Sequence, residues 1–201
     1  MNSKWSVGVF CLAALSVMSL FAIGEIKDAA TGEQFPAEIT VSHQGKNYDL
    51  EATGVATRKK LIVKVYSIAS YLQKGAQGSD PLAKIMSSDN AKQLTIKWVR
   101  DVPVAKVVET YRESFKTVLE GSQGVDINKD IETYLGFFTK DAAKGGELVL
   151  RWFPKGYVEV LIDGKAAGTI TSEPFAKALW SIWFGKKSVV NVDQLLSNLK
   201  S

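Results

Sequence analysis

The chain predicts one α+β domain in which an antiparallel sheet carries a layer of helices. Three observations support this. Hairpin signals, alternating residues around tight turns, occur at 38–52 and again at 147–170. Amphipathic stripes of helical period are grouped between and after them. No regular strand–helix alternation, the mark of a parallel sheet, joins the two sets. No internal repeat or Pro- or Gly/Ser-rich linker divides the chain, so 25–201 reads as a single unit.

The first 24 residues read as an export leader. Lys4 is the only charged side chain before Glu25, and 5–23 is apolar or small throughout. Ala22 and Gly24 supply the small-x-small exit for a cut before Glu25, which makes a secretory signal peptide. The rival is an uncleaved anchor, because roughly 19 apolar residues just span a bilayer. Ser6, Gly8, Ser16 and Ser19 dilute the stretch and favour cleavage. The only cysteine, Cys11, lies inside the apolar run, not at its end, which argues against lipidation. Without it the mature domain has no disulfide and no thiolate metal site.

The elements follow in order. Residues 38–43 alternate around Ile39 and Val41, Gln44-Gly45-Lys46 turns, and 47–52 returns. Residues 61–72 form a long β-branched and aromatic run that suits a central strand covered on both sides. One of its faces sets Lys64, Tyr66 and Ser70 among Ile62, Ile68 and Leu72. Ser79-Asp80-Pro81 starts a helix with proline in its first turn. Residues 93–99 form a strand with Leu94, Ile96 and Trp98 inward and Thr95 and Lys97 outward. Pro103 opens a long helix striped by Val107, Tyr111 and Phe115, which Gly121 and Gly124 end. Asp126 caps a second, striped by Ile131, Tyr134 and Phe138 and broken at Gly145-Gly146. A meander of 147–153, 157–162 and 166–170 turns at Pro154-Lys155-Gly156 and Asp163-Gly164. Ser172 caps a helix rich in Phe175, Leu179, Trp180 and Trp183, and 193–199 forms a short closing helix.

Several chemistries find no residues to carry them. The net charge of +4 is spread among mixed signs, without the basic stripe that tracks phosphates, which argues against nucleic acid. His43, the only histidine, sits in a polar hairpin with no nucleophile motif, and reads as structural. Asp126, Asn128 and Asp130 mimic a calcium loop but lack its glycine and terminal glutamate. Gly145-Gly146 and 121–124 lack the lysine and hydroxyl of a phosphate loop. No cofactor site emerges. Arg58-Lys59-Lys60, just before the buried strand, admits two readings: a solvated loop, or cations at the mouth of an apolar pocket. In the second, Arg58 grips a carboxylate and Tyr66 adds a hydrogen bond. Residues 180–184 likewise suit core or pocket wall.

Two stretches, GVATRKKLIVKVYSIASYL at 54–72 and FAKALWSIWFGKKSV at 175–189, resemble the chalcone isomerase-like family. LTIKWVRDV at 94–102 and ELVLRWFPKGYVEVLIDGK at 147–165 extend the likeness over most of the domain. The resemblance implies an open-faced β-sandwich, a large antiparallel sheet with a layer of helices and an apolar cleft between them. Plant enzymes of the family close chalcones into flavanones, whereas other branches are not enzymes, and some of these bind fatty acids through an arginine and a tyrosine. The catalytic tyrosine of the enzymes would fall near Val104 or Ala105, where this chain has none, and their lysine near Asn90, with Lys92 close by. The resemblance therefore implies the non-catalytic branch, with ligand-binding residues Arg58 and Tyr66 and, as the hydroxyl nearest Ile182, Ser181. The function expected is that of an exported binding protein without a cofactor. It would hold a small apolar acid, a fatty acid or related lipid, in the bacterial periplasm, without catalysis. Membrane contact is expected only through the leader, and the oligomeric state stays open. An isomerase of the chalcone type and a structural envelope module are the alternatives.

Overall fold

Turn chemistry and strand propensity build a sheet in which every strand pairs with its neighbour in sequence. The computed structural model describes residues 24–76, 80–120 and 126–199. Seven antiparallel strands run in chain order: β3 (Glu38–His43), β4 (Lys46–Lys60), β5 (Val63–Gln73), β6 (Lys92–Trp98), β7 (Glu147–Phe153), β8 (Tyr157–Ile162) and β9 (Lys165–Thr171). A separate two-stranded ribbon, β1 (Glu25–Lys27) with β2 (Gln34–Pro36), precedes them. Helix α1 (Pro81–Met86) lies between β5 and β6, and α2 (Val104–Leu119) and α3 (Asn128–Leu135) lie between β6 and β7. After β9 come α4 (Glu173–Phe184) and α5 (Val192–Leu195).

One face of the sheet packs under the helices. Ile68, Leu94, Ile96 and Leu150 meet Val107 and Phe115 of α2 and Leu179 and Trp180 of α4 in one buried cluster. Fully burying each such side chain contributes about 1.5–3 kcal/mol, which makes this cluster the main source of stability. Local signals start the helices where they stand: Asp80 accepts a hydrogen bond from the Ala83 N–H, and Ser172 accepts one from that of Phe175. The opposite face holds a smaller cluster of Phe35, Leu50, Ala69, Tyr71 and Phe153. The ribbon covers part of it, and the Tyr71 hydroxyl donates to the Pro36 carbonyl at 2.9 Å.

The structure corrects the sequence reading at several points. The arm expected at 47–52 runs on to Lys60, so Arg58, Lys59 and Lys60 are strand and not loop. The central strand begins at Val63, because Leu61 and Ile62 form the turn of the β4–β5 hairpin. Arg58 pairs with Tyr66 and Lys59 with Lys64, so Val65 is an extra, bulged residue. The bulge moves Lys64 off the Tyr66 face, and its ammonium donates to the Ala30 carbonyl on the other side. Thr95 is buried, not outward, because this face is also covered. Helix α3 ends at Leu135, well before Gly145-Gly146, and Asp126 still accepts a hydrogen bond from the Asn128 N–H one residue outside the cap. Residues 1–23 of the leader and the helix-ending glycines 121 and 124 lie outside the described residues.

A second bulge sits in β4, where Thr53 is the extra residue between Ala52 and Gly54. The Thr53 hydroxyl donates to the Leu195 carbonyl at 2.7 Å and ties α5 to the strand. Gly54, at φ 154°, makes room for this contact: a Cβ there would lie 2.1 Å from the Gln194 carbonyl oxygen.

Candidate ligand-binding site

A cleft of 420 Å3 opens between one end of β4–β6 and helices α2 and α4. That volume lies within the range of about 300–1,000 Å3 usual for small-molecule sites. Val65 and Trp98 form its sheet wall, and Val107, Tyr111, Ile182 and Trp183 its helical wall. The charged residues that line it are Arg58, Lys60, Arg100 and Lys106, set against Asp101. An apolar hollow rimmed by cations suits an apolar anion.

Arg58 and Tyr66 meet here because they are paired residues on adjacent strands. The half-buried Arg58 guanidinium donates through Nη1 to the Val189 carbonyl at 2.8 Å. That bond engages one of the five N–H donors of the guanidinium and restrains its position beside Tyr66. The Tyr66 hydroxyl accepts a hydrogen bond from Trp183 Nε1 at 2.9 Å. Its ring meets Trp98 edge-on at 5.4 Å. Burial pushes the phenol up to about 12, against smaller opposing effects of Trp183 and Arg58. Tyr66 therefore keeps its proton over the ordinary pH range, and no described residue accepts it. A guanidinium beside a phenol with a spare proton offers N–H and O–H donors of the kind that a carboxylate accepts.

Ser181 takes no part in this arrangement. Its hydroxyl donates to the Lys177 carbonyl at 2.7 Å, one turn back along α4, and Ile182 lines the cleft instead. Lys92 is also elsewhere. It pairs with Leu72 near the far end of β5, six residues along β6 from Trp98 and therefore roughly 20 Å from the cleft. Its side chain is buried, with the ammonium against the Ser87 carbonyl and 3.7 Å from the Trp152 ring centroid. Burial pulls it down to about 7, opposed by nearby Asp89.

Sequence reasoning singled out neither Trp98 nor Tyr111 as cleft residues. The signal for Tyr111 is a polar tip in an apolar helical stripe. Its ring stacks on Phe138 at 5.3 Å, and burial pushes its hydroxyl well up.

A second hollow, of 620 Å3, lies across β4, where Thr57 and Lys59 alternate with Arg58. Its buried carboxylate, Asp28, is already taken. Thr57 and Ser67 donate to it at 2.5 and 2.6 Å, and the Ala30 N–H at 2.9 Å. Burial raises the Asp28 carboxyl, but these bonds together outweigh it and hold the group below its usual value. His43 stacks on Phe153 with ring centroids 4.3 Å apart. No cluster of metal-ligating side chains occurs among the described residues.

No curated protein matches the chain significantly. Among solved structures it is similar to a fatty-acid binding protein of Arabidopsis thaliana, AtFAP1, with a TM-score of 0.70 and 17% identity. The match covers 88% of this chain and 97% of that one. At that identity the likeness establishes the fold. The family model described as chalcone isomerase-like matches residues 28–198, a span that takes in the whole seven-stranded sheet, helices α1 to α5 and both sides of the cleft. The protein belongs to the chalcone isomerase-like family.

Proposed function

We propose that this protein binds a small apolar acid, a fatty acid or related lipid, in the cleft and performs no chemistry on it. The observation that carries this reading is the pairing of Arg58 with Tyr66 at an apolar hollow. Apolar walls supply affinity, at about 25 cal/mol per Å2 of surface removed from water, and the two polar groups orient the carboxylate. The similar Arabidopsis protein is a fatty-acid binding protein, which supports the same ligand class here. The Lys92 ammonium is too far away to act as an acid or base in the cleft.

The reading includes export. Residues 1–24 have the composition of a cleaved leader, which supports a periplasmic location for the domain. Mass measurement of the protein recovered from cells tests this, and retention of residues 1–24 overturns it.

The binding test is titration of the purified protein with a long-chain fatty acid, followed by native mass spectrometry. The expected result is one acid per chain. Arg58→Ala lowers affinity about 10- to 100-fold, the worth of a charge-assisted hydrogen bond, while the far-UV spectrum is unchanged. A wild-type protein that takes up no fatty acid sinks the reading. Turnover of a chalcone above the spontaneous rate overturns the absence of catalysis.

A further inference from the structure

The tip of the β4–β5 hairpin presents large apolar side chains to water. Leu61 and Ile62 are each 92% exposed, and Val63 follows at 41%. Residues 59–64 are exposed without interruption, so the tip stands clear of the domain. Local backbone needs do not explain its composition. Leu61 adopts φ 55° at the first central position of a two-residue turn. Glycine, asparagine and aspartate are the residues that tolerate positive φ in hairpin turns. A leucine there strains the backbone and wets apolar surface, two costs that the folded domain does not recover.

The surroundings of the tip carry mostly one sign of charge. Lys59 and Lys60 precede it, and Lys64 follows it with its ammonium held by the Ala30 carbonyl. Lys60, Leu61 and Val63 also line the cleft, beside Arg100, Asp101 and Lys106, the last of these ion-paired with Glu109 at 2.6 Å.

We propose that this tip is a membrane-docking loop: Leu61 and Ile62 enter the headgroup–acyl boundary of an anionic lipid surface while the neighbouring lysines meet its phosphates. The charge pattern favours lipid over protein. A stable protein interface buries about 800 Å2 per partner on a shaped patch, which two protruding side chains do not provide. A lipid surface requires only a short apolar wedge with cations around it. Docking adds a membrane contact beyond the leader and turns the cleft mouth towards the bilayer. The inference concerns the hairpin surface and holds whatever the cleft contains.

The test is co-sedimentation of the mature protein with vesicles of phosphatidylcholine, with and without about 30% phosphatidylglycerol, at low and high salt. The expected result is binding to the anionic vesicles that weakens with salt. Ile62→Asp and the double variant Lys59→Glu/Lys60→Glu each lower it by about tenfold or more. Circular dichroism and unfolding midpoints establish that both variants fold, and Ile62→Ser replaces the aspartate variant should that one fail. Wild-type protein that ignores vesicles, or Ile62→Asp that binds as well as wild type, overturns the proposal. So does a wild-type dimer that Ile62→Asp splits without any vesicle binding, since the tip would then be a self-association surface.

Discussion

Replacing Lys92 by methionine should make the protein's stability less dependent on pH between 6 and 10. The side chain is 1% exposed, and burial lowers its ammonium from 10.5 to about 7. That gap corresponds to about 5 kcal/mol at 1.36 kcal/mol per pH unit. The face of Trp152 favours the charged form and returns about 0.5–2 kcal/mol, which leaves about 3–4 kcal/mol. Below about pH 7 the amine holds its proton in both folded and unfolded chains, so the folded state bears the whole burial cost. Between about 7 and 10.5 the unfolded chain holds a proton that the folded chain has released, and stability rises with pH. Methionine has no proton to lose. It also deprives the Ser87 carbonyl of its donor, but that cost of about 1–3 kcal/mol is the same at every pH. Urea unfolding of both proteins, followed by tryptophan fluorescence at pH 6, 8 and 10, isolates the change. Part of the change falls above pH 10, so the advantage of the methionine variant should shrink, or its deficit deepen, by about 2–3 kcal/mol from pH 6 to pH 10. A difference between the two proteins that moves by less than about 1 kcal/mol refutes the reasoning.

Other substitutions probe the cleft and its supports. Tyr66→Phe removes the spare phenolic proton and should weaken fatty-acid binding about five- to tenfold in the same titration, with Trp183 losing its acceptor. Gly54→Ala should cost more than about 2 kcal/mol in urea unfolding, because the new methyl meets the Gln194 carbonyl and pushes α5 away. Asp28→Ala should cost about 2–4 kcal/mol at pH 7, by stripping Thr57 and Ser67 of a buried acceptor. The carboxyl is held below its usual value, so its contribution is present above that value and is lost as pH falls through the folded one. The Asp28→Ala protein should therefore lose less stability than wild type on acidification, and an equal loss contradicts the argument.

What could be read beforehand was whatever depends on neighbours in sequence. The Ser172 cap, the Asp80-Pro81 helix start and both turns of the final meander each need only a few adjacent residues. The β4–β5 turn was not legible, because Leu61-Ile62 carries none of the glycine or asparagine that marks such turns. Nothing next to Gly54 in sequence marks its role, which is the approach of α5 from more than a hundred residues away. The bulge at Val65 has no sequence mark either, so Lys64 was assigned to the wrong face. In the cleft, Arg58 and Tyr66 came through because one hairpin carries both. Ser181 did not, since one residue along a helix turns the side chain by about 100° and takes its hydroxyl out of the cleft that Ile182 lines.

The bond that steadies Arg58 joins residues 131 positions apart. A chain emerging from a ribosome has its β4–β5 hairpin available early, before the residue that holds the arginine. Only when Val189 arrives does the guanidinium acquire a fixed heading. A partly synthesised chain thus lacks a fixed guanidinium beside Tyr66, and the arrangement in the cleft appears only together with the finished domain.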